Sequence, residues 1–79
     1  MFHKVDFGFD WQGQIVRVGD VVKSRFTLVN PWLVMEIYAT SDFYYVYHIG
    51  KGTKTEWVNE HDIEFVSRDI QDAFYTLAN

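Results

Sequence analysis

Four groups of residues in this 79-residue sequence have types and spacing that bear on chemistry. His48, Ser24 and scattered acids contain the residue types of a hydrolytic triad. Nothing in their spacing brings them together. The sequence has no nucleophile elbow, no glycine-rich phosphate loop ahead of a helix and no His/Glu metal motif. The constellation needed for catalysis is missing, and a chain that is not an enzyme is expected. Glu60-His61-Asp62-x-Glu64 gathers oxygen and nitrogen ligands. A metal needs side chains that converge on one point, whereas neighbours in a turn point apart. Asp62 therefore reads as a cap for a short turn, and neither a metal nor another cofactor is expected.

The third group is aromatic: Trp32, Tyr38, Tyr44, Tyr45, Tyr47 and Trp57, in a chain that is 19% aromatic. Such rings attract methylated ammonium groups by cation–π interaction, and tyrosines anchor protein interfaces. The competing reading is that they fill the core. So small a core cannot hold them all, and a contiguous apolar patch left outside marks an interface. Tyr45, Tyr47, Trp57, Trp32 and Tyr38 are the candidate binding residues. The fourth group is basic. Lys23, Arg25, Lys51 and Lys54 could track a nucleic-acid backbone if exposed aromatics lay beside them. Against this stands a solvated surface exchanging weak ion pairs with nearby acids.

Composition narrows the partners. Net charge is −4, and the acids crowd the C-terminal third. From Glu56 to Asn79 six acids face Arg68 alone, while the preceding part holds six Lys/Arg against five Asp/Glu. Nucleic acid and anionic membranes both select for cationic charge, so both are disfavoured. The sequence has no cysteine, which removes disulfides and thiol chemistry. No apolar run reaches the ~20 residues of a membrane span, and the N-terminus lacks the apolar region of a signal peptide. A cytoplasmic protein is expected.

The elements that must carry these residues are short strands. Val5, Phe7 and Phe9 alternate with Asp6 and Gly8, and DWQGQ turns the chain into Ile15, Val16 and Val18. Gly19-Asp20 precedes VVKSRFTLV, and Asn30-Pro31 turns it into WLVMEIY. DFYYVYHIGKG at 42–52 departs from apolar/polar alternation, because neither of its faces is plainly a water face. Tyr44, Val46 and His48 are expected inside, which leaves Phe43, Tyr45, Tyr47 and Ile49 in need of a cover. Thr53–Val58 returns as the hairpin partner and IEFV ends the strands. Ile70, Ala73, Phe74 and Leu77 then share one helical face behind an N-cap at Ser67, predicting a helix from about 68 to 77.

VGDVV at 18–22, the Tyr44-x-Val46-x-His48 strand and WVNEHDIEFV at 57–66 together resemble the small SH3-like barrels of Tudor and KOW type. The resemblance covers about residues 18–67. It implies a five-stranded barrel closed by a strand, a 3₁₀ turn and a last strand. The KOW glycine with its basic surroundings is absent, and Tudor cage positions have no residue-by-residue match. Curling such strands onto themselves would protect their edges. The expected inward set is Val18, Val22, Phe26, Val34, Ile37, Val46, Val58, Ile63 and Val66.

The expected architecture is thus one mainly β domain over residues 1–79. It consists of an N-terminal β-hairpin extension (1–17), an SH3-like barrel (18–67) and a C-terminal α-helix (68–79). The expected function is a non-catalytic protein–protein interaction module, a small accessory protein of bacterial or phage type. Its aromatic face would meet a protein partner or a second copy. The alternative is a nucleic-acid-associated domain acting through Lys23, Arg25, Lys51 and Lys54.

Overall fold

Alternating apolar residues and closely spaced turn formers give eight short strands in the computed structural model, which describes residues 2–27 and 31–69. They are β1 (Phe2–Val5), β2 (Phe7–Phe9), β3 (Ile15–Arg17), β4 (Val21–Ser24), β5 (Trp32–Thr40), β6 (Tyr45–Lys51), β7 (Lys54–Asn59) and β8 (Ile63–Ser67). A 3₁₀ turn over Glu60–Asp62 joins the last two. It is held by a capping box, in which Asn59 Oδ1 accepts the His61 N–H and Asp62 Oδ2 accepts the Asn59 N–H. Asp62 caps the turn, as its position predicts.

The main sheet runs β7-β6-β5-β4-β8, all antiparallel, and β1 pairs with the C-terminal half of β5. The hairpin β2–β3 forms a separate two-stranded sheet. The chain is mainly β, but the expected barrel does not close, because β7 and β8 end the ladder without pairing to each other. The hairpin lies over the core-facing side of the open sheet: Tyr47 on β6 bonds to Phe9 on β2, and Val16 of β3 sits in the core. The C-terminal helix predicted from about 68 lies, from residue 70 on, outside the described residues, and residues 68 and 69 are not helical.

The core gathers Val16, Val22, Trp32, Val34, Ile37, Tyr47, Ile49 and Ile63, with Val5, Tyr45, Val58 and Phe65 packed around it. Each fully buried Val or Ile stabilises the fold by roughly 1.5–3 kcal/mol. Val34 and Ile37 are three residues apart and would face opposite ways in a regular strand. A bulge at Met35 puts both inside. Val22, Val34, Ile37 and Ile63 are buried as their spacing predicts, whereas Val18 and Phe26 are exposed and Val46, Val58 and Val66 are only partly covered.

The faces of β6 are the reverse of those expected. Tyr47 and Ile49 are fully buried, while Val46 and His48 lie on the outer side. The cause is the cover supplied by β2. Gly8 brings that strand close against the Tyr45 and Tyr47 rings, and the Tyr47 hydroxyl donates to the Phe9 carbonyl at 2.7 Å. A buried tyrosine needs such a partner, and a one-residue change of register moves the whole set across.

Candidate functional site

The outer face is built from rows of residues set by strand pairing. Glu36, His48 and Trp57 form one row across β5, β6 and β7, and Lys4, Tyr38, Val46 and Asn59 form the next, from β1 to β7. Phe2 stands opposite Thr40 in the row beyond. Val46 is short and the rings around it are tall, so Phe2, Tyr38, Val46 and Trp57 enclose an apolar cleft of about 400 Å³. Phe2 is 62% exposed and Trp57 57%.

Ring contacts fix the walls. Trp57 stacks on His48 with centroids 4.4 Å apart and planes 7° apart, and Tyr38 leans on Trp57 at 5.7 Å. Offset and tilted pairs of this kind add packing energy beyond simple burial. The Tyr38 hydroxyl donates to Glu36 Oε2 at 2.5 Å. Glu36 Oε1 lies 3.6 Å from His48 Nδ1, beyond hydrogen-bond length, and that buried nitrogen makes no hydrogen bond.

The hydrogen bond from Tyr38 holds the Glu36 carboxyl below the usual glutamate range, and the charge of Lys4 acts in the same direction against partial desolvation. The same hydrogen bond, with desolvation and the charge of Glu36, raises the Tyr38 phenol. The rim of the cleft thus carries one cation, Lys4, and one anion, Glu36. Charge there nearly balances, and the walls are carbon. The arrangement suits an apolar side chain more than an ion.

Among the five aromatic candidates, the structure brings Tyr38 and Trp57 together at this cleft. Trp32 and Tyr47 are buried in the core, so neither presents a surface to a partner. Tyr45 is half-buried on the inner side, its ring 5.8 Å from Phe9 and its N–H bonded to Glu60 Oε1. Inner and outer sets alternate along β6, which is why one strand cannot offer Tyr45, Tyr47 and the Trp57 row on a single face. Phe2 and Val46 complete the cleft.

The basic residues do not form one patch. Lys23 Nζ is 3.4 Å from Glu64 Oε2. The Arg25 guanidinium lies 3.9 Å from the Trp11 ring centre and 5.4 Å from that of Phe26, and Nη1 donates to the His61 carbonyl at 2.6 Å. Lys51 and Lys54 face each other at the far tip of the β6–β7 hairpin. Among the described residues no three His, Asp or Glu side chains converge as metal ligands, and no helix is long and apolar enough to cross a membrane. Comparison with family models, with curated proteins and with solved structures finds no match to this chain.

Proposed function

We propose that the chain is a non-catalytic protein-binding module whose contact face is the outer side of β1, β5, β6 and β7. The observation that carries this reading is the cleft among Phe2, Tyr38, Val46 and Trp57, flanked by two rings that are more than half exposed. Folding leaves this carbon surface in water although the core buries rings of the same kind a few ångströms below. Tryptophan and tyrosine at a concave apolar site are the usual anchors of a protein contact. The partner supplies an apolar side chain of leucine, methionine or phenylalanine size. The succession of β7, a 3₁₀ turn and β8 supports a relation to SH3-like architecture, on a sheet left open.

The test is affinity capture from the native host with wild-type protein and with the double variant Phe2→Ala, Trp57→Ala. Proteins retained only by the wild type are then titrated, purified, against both. A binary complex weakened at least tenfold by the double variant, whose strand signal in circular dichroism is unchanged, supports the reading. Equal retention by both proteins refutes it.

A further inference from the structure

The long ladder of the sheet ends in β7 and β8, and the chain treats these two edges differently. On β8, the Ile63 carbonyl accepts the Trp11 N–H at 3.2 Å, and the Phe65 N–H donates to Asp10 Oδ2 at 2.8 Å. The turn at Asp10 and Trp11 thereby covers that edge. Along β7 no comparable contact reaches Thr55 or Trp57 from the described residues. An uncovered strand edge is a template for another strand.

The geometry of the β6–β7 hairpin says which main-chain groups are open. A two-residue turn, Gly52-Thr53 with Gly52 at φ 61°, sets Lys51 against Lys54, and the register continues to Val46 and Asn59 without a bulge. The pair next to such a turn exchanges both its hydrogen bonds, and bonded pairs then alternate. Lys54, Glu56 and Val58 therefore bond to β6, and Thr55 and Trp57 turn their N–H and C=O outward. Asn59 is the next in that series, and its N–H does turn away, to Asp62 Oδ2 at 3.3 Å.

We infer that β7 pairs antiparallel with β7 of a second copy about a two-fold axis at Trp57, joining two sheets into one. Charge selects this register. An axis at Glu56 would set Glu56 directly against Glu56 of the other copy, a repulsive arrangement. An axis at Thr55 would run the pairing into the Gly52-Thr53 turn. The axis at Trp57 sets Glu56 against Val58 and Thr55 against Asn59, so the pairing lies wholly within β7, which ends at Asn59. The two Trp57 indoles then meet across the axis and cover each other. Strand edges are guarded by bulges, prolines and charges; β7 has no bulge and no proline, and its charged residues are Lys54 beside the turn and Glu56, which the Trp57 axis sets against Val58. Because the contact is isologous, it closes as a dimer and does not propagate.

Sedimentation across micromolar to high-micromolar concentration tests this with the full chain and Thr55→Pro. The Thr55 N–H points away from β6, so proline removes a donor from the pairing edge and leaves the internal ladder intact. The wild-type mass is expected to rise from 9.4 kDa towards twice that value with concentration, and Thr55→Pro to associate at least tenfold more weakly. Trp57→Ala, which removes the exposed indoles that would cover each other at the axis, serves as a second variant and should also weaken the dimer. A wild type that stays monomeric at every concentration overturns the inference, whether or not a foreign strand uses the edge. So does a dimer that persists in both folded variants. Trp57 belongs to both surfaces; Thr55→Pro leaves the four residues of the cleft in place and Phe2→Ala alone leaves the pairing edge in place, so these two single variants test the dimer and the cleft apart.

Discussion

The Tyr47 hydroxyl donates a 2.7 Å hydrogen bond to the Phe9 carbonyl and so ties the main sheet to the hairpin that covers it. Tyr47→Phe keeps the buried ring and removes only this bond. The expected loss is about 1 kcal/mol, read as a lower urea midpoint with unchanged slope. Burial, with the negative charges of Glu60 and Asp10, pushes the Tyr47 phenol far above its ordinary value. The folded state therefore keeps this proton where the unfolded chain gives it up. The stabilisation is complete below the ordinary tyrosine value of about 10 and declines as pH rises beyond it. Denaturation curves at increasing alkaline pH should show this decline in the wild type and a smaller one in Tyr47→Phe.

Gly8 allows the hairpin to sit this close. A Cβ there would stand 2.8 Å from Cγ of Tyr45 and would also run into the Tyr47 hydroxyl. Both groups belong to rings packed in or against the core and cannot swing aside. Gly8→Ala should therefore destabilise the protein by about 1–3 kcal/mol through overpacking, although alanine is the better residue for an unstrained strand. Urea denaturation measures it, and Gly13→Ala serves as the comparison: no atom lies near its added Cβ, so its cost comes only from the positive φ.

The strands and most turns were legible because turn formers and period-2 runs mark them locally. Val22, Val34, Ile37 and Ile63 were legible as core for the same reason. The face of β6 was not. Its two faces are nearly equal in hydrophobicity, so the choice rests on a long-range event, the arrival of β2 with Gly8 above Tyr45 and Tyr47. The cleft was legible as far as Tyr38 and Trp57, since surplus rings had to lie outside. Its other half depends on β1 pairing with β5 in a register that sets Phe2 opposite Thr40, and no local pattern encodes that. Openness of the sheet was hidden too: the sequence motif of β7, turn and β8 is local, whereas closure depends on whether distant edges meet.

Glu36 and Tyr38 should give the outer face a pH window. The hydrogen bond between them needs an ionised carboxylate and a protonated phenol. Because the Glu36 value is lowered, its contribution is present above the ordinary glutamate range and is lost as pH falls through the lowered value. Because the Tyr38 value is raised, its contribution is present below the ordinary tyrosine range and is lost as pH rises through the raised value. Glu36→Gln should therefore flatten the acid limb of a plot of urea midpoint against pH, and Tyr38→Phe the alkaline limb. The effects should be small, since water screens both groups. An acid limb unchanged in Glu36→Gln would assign that limb to other carboxylates.

Phe43 is the one described residue other than glycine with positive φ, 66°, and it is 97% exposed at the turn between β5 and β6. The turn itself is well bonded, with Phe43 N–H donating to the Thr40 carbonyl at 3.2 Å and Thr40 N–H to the Tyr44 carbonyl at 2.9 Å. The left-handed conformation is imposed by that bonding and not by the phenylalanine, which gains almost no burial in return. An ordinary L-residue loses roughly 1–2 kcal/mol in this region, and asparagine tolerates it better through local hydrogen bonding. Phe43→Asn should thus stabilise the fold by about 0.5–1 kcal/mol, seen as a higher melting temperature. A lower melting temperature would mean that the ring contributes packing that its exposure does not reveal.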